Sequence, residues 1–194
     1  MWRPEAPVIF PSEAEGMQLL EVARSAIGSS LGAPGPDPEA MLERALAREV
    51  LRRPGAAFVT LHLDAELRGC VGTLEITAPL ARSVARHAVA AALEDPRFAP
   101  LSAHELSAVR LSVSVLGPFT PVRTPEPIEV GRHGVSLVRG DFRSVFLPQV
   151  ALEQGWDRTA LLQHLAVKAG LSRDGWRSAE LSVFETASFA ETLY

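Results

Sequence analysis

The heptapeptide Leu67-Arg68-Gly69-Cys70-Val71-Gly72-Thr73 holds the chain's single cysteine between two glycines. On a regular β-strand Arg68 and Cys70 share one face with their Cβ atoms about 7 Å apart. At that range a guanidinium favours the thiolate, which is the form of cysteine that acts as a nucleophile or metal ligand. Gly69 and Gly72 carry no side chain, so a ligand or another backbone can approach there. Two plainer readings compete: a buried cysteine acting as a small hydrophobe, and glycines present only for turn geometry or close packing.

Three further residues have types suited to chemistry. His133 lies in Gly131-Arg132-His133-Gly134, a tight turn able to present an imidazole to a cleft as acid, base or ligand. An exposed turn histidine without a task is the plainer alternative. In Asp95-Pro96-Arg97-Phe98 the aspartate can accept from backbone amides, while Arg97 offers a planar fork for a carboxylate or phosphate. An internal Asp–Arg pair across the turn accounts for the same residues. No two histidines have metal-site spacing, and no phosphate-loop, dinucleotide, nucleophile-elbow or C-x-x-C motif occurs, so no metal or cofactor is expected.

The bulk of the chain excludes more than it suggests. Its 194 residues carry a net charge of −4, and of the 19 basic residues only Lys168 is lysine. Without a basic stripe interleaved with aromatics, nucleic acid is disfavoured as a partner. No apolar run approaches membrane-spanning length, and the start lacks the layout of a signal peptide. With one cysteine and therefore no internal disulfide, a reducing, cytoplasmic location is expected.

The elements that must position these residues follow from pattern. Ser12 and Glu15 form a capping-box pair ahead of a helix, Gly32 to Pro36 interrupts it, and Asp37-Pro38 starts another helix expected to run to about Leu51. From Ala56 the character changes to a strand reading Phe58 to Leu63, then Asp64-Ala65-Glu66, then the cysteine segment, which together read as a hairpin. An alanine-rich helix starts at Pro79 and ends at Asp95-Pro96, and Val109 to Leu116 alternates as a strand. Hairpin signals follow at Gly131–Gly134 and Gly140-Asp141, with a strand from Phe142 to Leu147. A short helix then ends near Gly155, a longer one runs from Asp157 to Gly170, and Leu181 to Thr186 reads as the last strand. Helices first, then mostly hairpin-linked strands, argue for an α+β fold.

Taken together these segments resemble one family. Leu67-Arg68-Gly69-Cys70-Val71-Gly72-Thr73 is similar to the LRGCIG signature of the AMMECR-type domain, known in prokaryotes as component A of the AmmeMemoRadiSam system. The likeness continues through Phe58-Val59-Thr60, Asp95-Pro96-Arg97-Phe98, Val113-Ser114-Val115-Leu116, His133-Gly134, Phe146-Leu147-Pro148-Gln149-Val150, Glu153-Gln154-Gly155-Trp156-Asp157 and Lys168-Ala169-Gly170-Leu171. It implies a single domain over 12–191, preceded by an extension over 1–11. That domain would be α+β in two unequal lobes, mainly antiparallel sheet flanked by helices, the larger lobe formed from both chain ends. The resemblance also implies that the signature lines a ligand or active-site cleft between the lobes and that Memo-like and radical-SAM proteins are companions. It brings no established reaction. Carried onto this sequence, the family's polar positions fall on Arg68, Cys70, Thr73, Asp95, Arg97 and His133. Cys70 and His133 are then the catalytic candidates, and Arg68, Gly69, Gly72, Thr73, Asp95 and Arg97 the ligand-binding ones.

Three departures from the family pattern matter. Val71 for isoleucine conserves core character. Asp64-Ala65 replaces the commoner Asp-Gly, and since alanine tolerates positive φ poorly, a different turn is expected. Ala166 stands where many prokaryotic members have a second cysteine, so a mechanism needing two thiols is not available to this chain. A ligand-binding domain, a protein-interaction module and a thiol-dependent enzyme using Cys70 all stay open on the sequence.

Overall fold

The computed structural model describes residues 9–191, so the expected N-terminal extension lies outside the described residues except at positions 9 to 11. In chain order the elements are α1 (Glu13–Ser30), α2 (Pro38–Leu46), α3 (Glu49–Arg52), β1 (Ala56–Leu63), β2 (Glu66–Gly72), α4 (Leu80–Leu93), β3 (Arg110–Leu116), β4 (Thr120–Val122), β5 (Gly134–Arg139), β6 (Phe142–Phe146), α5 (Pro148–Glu153), α6 (Arg158–Lys168), β7 (Glu180–Phe184) and β8 (Thr186–Ala190). They divide into two units. The first takes the residues up to Leu116 and those from Ala187 onward, and the second is Gly117–Thr186. The fold is α+β, as the order of helices and hairpins led us to expect.

In the first unit the strands form one antiparallel-paired sheet in the order β2-β1-β3-β8. Alternation along the strands sends Ala57, Val59, Leu61, Leu111, Val113 and Val115 into a core completed by α1 and α4 through residues such as Leu19, Leu20, Ile27, Val84, Ala88 and Ala91. The opposite face, which α1 and α4 do not cover, carries Phe58, Thr60 and His62 from β1. α1 begins with the full reciprocal capping box between Ser12 and Glu15. At Gly16 this helix takes the Phe189 ring so closely that a Cβ would stand 2.0 Å from it. Beyond β8, Glu191 accepts from the Leu111 amide and from the Arg24 guanidinium, which fixes that edge strand to α1.

Two local expectations are corrected here. The helix begun at Pro38 does not run on to Leu51 but breaks at Ala47 and Arg48, the latter in extended conformation. A straight helix that buries Leu42 and Ala45 would turn Glu49 inward at the next step of the same stripe. The break instead delivers Leu51, fully buried, to the core. The hairpin turn also keeps positive φ at both central residues, Asp64 at 49° and Ala65 at 68°. Ala65 therefore adopts the left-handed conformation that glycine would take without strain.

The second unit has its own sheet, ordered β4-β7-β5-β6, and its own core of Val135, Leu137, Leu181 and Val183 packed with Leu161, Leu162, Leu165 and Ala166 of α6. Asp157 caps α6, and Gly170 at φ 84° follows its end. The Gly140-Asp141 hairpin joins β5 and β6 as expected. Gly131–Gly134 is a turn but not a hairpin: both sides of β5 are taken by β6 and β7, so the preceding strand β4 pairs with β7 instead. The strand expected over Leu181 to Thr186 is two strands divided at Glu185, β7 in the second sheet and β8 in the first. Among the described residues no helix is long and apolar enough to cross a membrane.

Candidate functional site

β2 is an edge strand, so at Cys70, paired with Thr60, one side of the backbone has no strand to bond. Two side chains from the segment after α4 fill that role. The Cys70 amide donates to Asp95 Oδ2 at 2.9 Å, and Arg97 Nη2 donates to the Cys70 carbonyl at 3.2 Å. Arg97 also grips the same carboxylate, Nε to Oδ1 at 2.9 Å and Nη2 to Oδ2 at 2.6 Å, and its backbone amide donates to Oδ1. Asp95 is 5% exposed. The Arg97 guanidinium, aided by the Cys70 and Arg97 amides, holds its carboxyl far below the usual range despite burial. Local sequence builds this clamp: Pro96 cannot continue α4, and the turn closes with the Phe98 amide on the Asp95 carbonyl. The Arg97 fork expected to take a ligand anion is thus occupied by Asp95.

Arg68 does not act as the regular-strand reading supposed. The β1–β2 pairing shifts between Leu61 and His62, which pair with Gly69 and Leu67, so Arg68 is the extra residue of a bulge. Its Nε donates to Glu105 Oε1 at 2.9 Å and its Nη1 to the Ala99 carbonyl at 2.9 Å. Glu105 is pulled down to about 2, first by Arg68 and then by the Ser102 amide and hydroxyl. The guanidinium is committed to holding the 99–105 segment, and the free cation beside a thiol that the sequence suggested is absent.

The two glycines serve packing. A Cβ on Gly69 would meet the Ala91 carbonyl oxygen of α4 at 2.1 Å, and one on Gly72 would meet the Ala57 carbonyl and the Phe58 ring at 2.5 Å. Of the two approaches that these bare positions allow, a ligand or another backbone, it is the protein's own backbone that comes close at both. Thr73 finishes the strand locally, its amide on the Ala57 carbonyl and its Oγ1 accepting from the Glu75 amide at 3.0 Å.

What faces outward is the Cys70 side chain. It is partly exposed, and Thr60 Oγ1 donates to its Sγ at 3.3 Å. Register continues the row, with Cys70 opposite Thr60 and Thr60 opposite Ser112, all on the face that α1 and α4 leave uncovered. One thiol and two hydroxyls therefore stand side by side across three strands, on a rung whose Cys70 backbone is held by Asp95 and Arg97. These groups can donate and accept hydrogen bonds, and the sulfur can act as a nucleophile. Among the described residues no group of three or more His, Cys, Asp or Glu is arranged to hold a metal.

The structure therefore brings Cys70, Asp95 and Arg97 into one contact network, with Arg68, Gly69, Gly72 and Thr73 shaping the strand around it. His133 belongs to the second unit, where its Nδ1 accepts from the Glu129 amide at 3.0 Å while Arg132 pairs with Glu129 and Glu185. Sequence reasoning missed Thr60, Ser112 and Glu105. Ser102 and Glu105 carry capping-box spacing, which would have marked the glutamate, and the hairpin alternation would have set Thr60 against Cys70.

Comparison with known proteins agrees with this architecture. The AMMECR1 family model matches residues 20–189. A protein from Aeropyrum pernix is 37% identical over 98% of this chain and 86% of its own length, and one from Nanoarchaeum equitans is 38% identical over 90% and 99%. The crystal structure of an uncharacterized protein from Pyrococcus horikoshii superposes with a TM-score of 0.83 at 30% identity, covering 93% of each chain. On the family match and these relatives, the chain belongs to the AMMECR1 family.

Proposed function

We propose that this protein binds a small polar ligand on the face of its first sheet away from α1 and α4, at the row formed by Cys70, Thr60 and Ser112. The observation that carries this reading is the division of labour at β2. Asp95 and Arg97 satisfy the Cys70 backbone, Arg68 is committed to Glu105, and the thiol is left outward beside two hydroxyls. A rung held this firmly presents its side chains with little freedom to lose on binding, which favours recognition. The family resemblance supports a place beside Memo-like and radical-SAM companions, and the lone free thiol suits the cytoplasm.

Native mass spectrometry of protein purified gently from its own host tests the reading. A co-purifying small molecule should be retained by the native chain and lost in Thr60→Val and Ser112→Ala variants that keep the native fold. Retention in both folded variants would sink the proposed row. A thiol-dependent enzyme using Cys70 is the second reading, favoured by the hydrogen bond from Thr60 to Sγ. It requires native Cys70 to react with iodoacetamide faster than a model thiol somewhere between pH 6 and 9, with Thr60→Val changing that rate.

A further inference from the structure

We draw no further inference here: the strongest candidate, a groove of about 770 Å³ in the first unit between the C-terminal half of α1, the Gly32–Pro36 loop, α2 and the 103–107 segment, has its arginines Arg24 and Arg44 paired with Glu191 and Glu21, and nothing in the structure shows what covers it.

Discussion

Replacing Asp95 with alanine removes the acceptor for the Cys70 amide and the partner of Arg97 in one step. The Cys70 amide at this edge is then left without its acceptor, which costs about 1–3 kcal/mol for an unsatisfied group. The ion pair goes together with the carboxylate, and because the Arg97 side chain is 54% exposed its loss adds only about 0–1 kcal/mol here. A total of about 1–4 kcal/mol is expected, whereas Arg97→Ala spares the amide bond but strips the buried Asp95 carboxylate of its cation. Asp95→Asn keeps a neutral acceptor and should cost less than Asp95→Ala. Because the chain has two units, amide hydrogen exchange at Cys70 is a better readout than a single global midpoint. Protection of that amide should drop in Asp95→Ala and survive in Arg97→Ala. Equal protection in all three variants, or a larger loss in Arg97→Ala, would refute the division of labour drawn above. The sign with pH follows from the depressed carboxyl: its contribution is complete above its unfolded value of 3.8 and fades only as pH falls toward the lower folded value. The difference between native protein and Asp95→Ala should therefore be constant from pH 5 to 8.

Further outcomes are expected. Ala65→Gly should raise stability by about 0.5–1 kcal/mol by relieving positive φ in the hairpin, read as a higher urea midpoint with an unchanged spectrum. Gly69→Ala should lower stability by about 2 kcal/mol or more, because the added methyl meets the Ala91 carbonyl and α4 must shift from β2; a midpoint near native would refute the packing role. Glu105 has a folded value of about 2 against 4.5 unfolded, so its stabilising effect is full above pH 4.5 and is lost as pH drops toward 2. Glu105→Gln should therefore flatten the acid limb of the stability profile, and an unchanged limb would count against the Arg68 pair.

Where pattern and tertiary structure agreed, the sequence was a sound guide. The Ser12 and Asp157 caps, the Pro79 helix and the Gly140 hairpin each depend on residues within a few positions, and each formed as read. Failures came where distant packing decided. Nothing local near Ala47 announces a break, because the reason for it is the room for Leu51 in the core. The split at Glu185 depends on two sheets competing for one stretch of apolar sequence. At the site the identities were legible and the roles were not: Arg68 needed Glu105, 37 positions away, to show where its charge goes. Gly69 needed α4 to show what fills its space.

The division of β7 from β8 bears on how the chain matures. The last strand of the first sheet, carrying Phe189, is encoded only at the end of Gly117–Thr186 and beyond it. As the chain is synthesised, α1 therefore waits with its notch at Gly16 unfilled and β3 with an open edge, on the order of 10 s at ordinary translation rates. During that interval the first unit is a sheet lacking one border, open to pairing with the wrong strand. A rapidly folding second unit would shorten the exposure by bringing β8 back as soon as it is made, so mutations that slow its folding should appear as aggregation of the first unit.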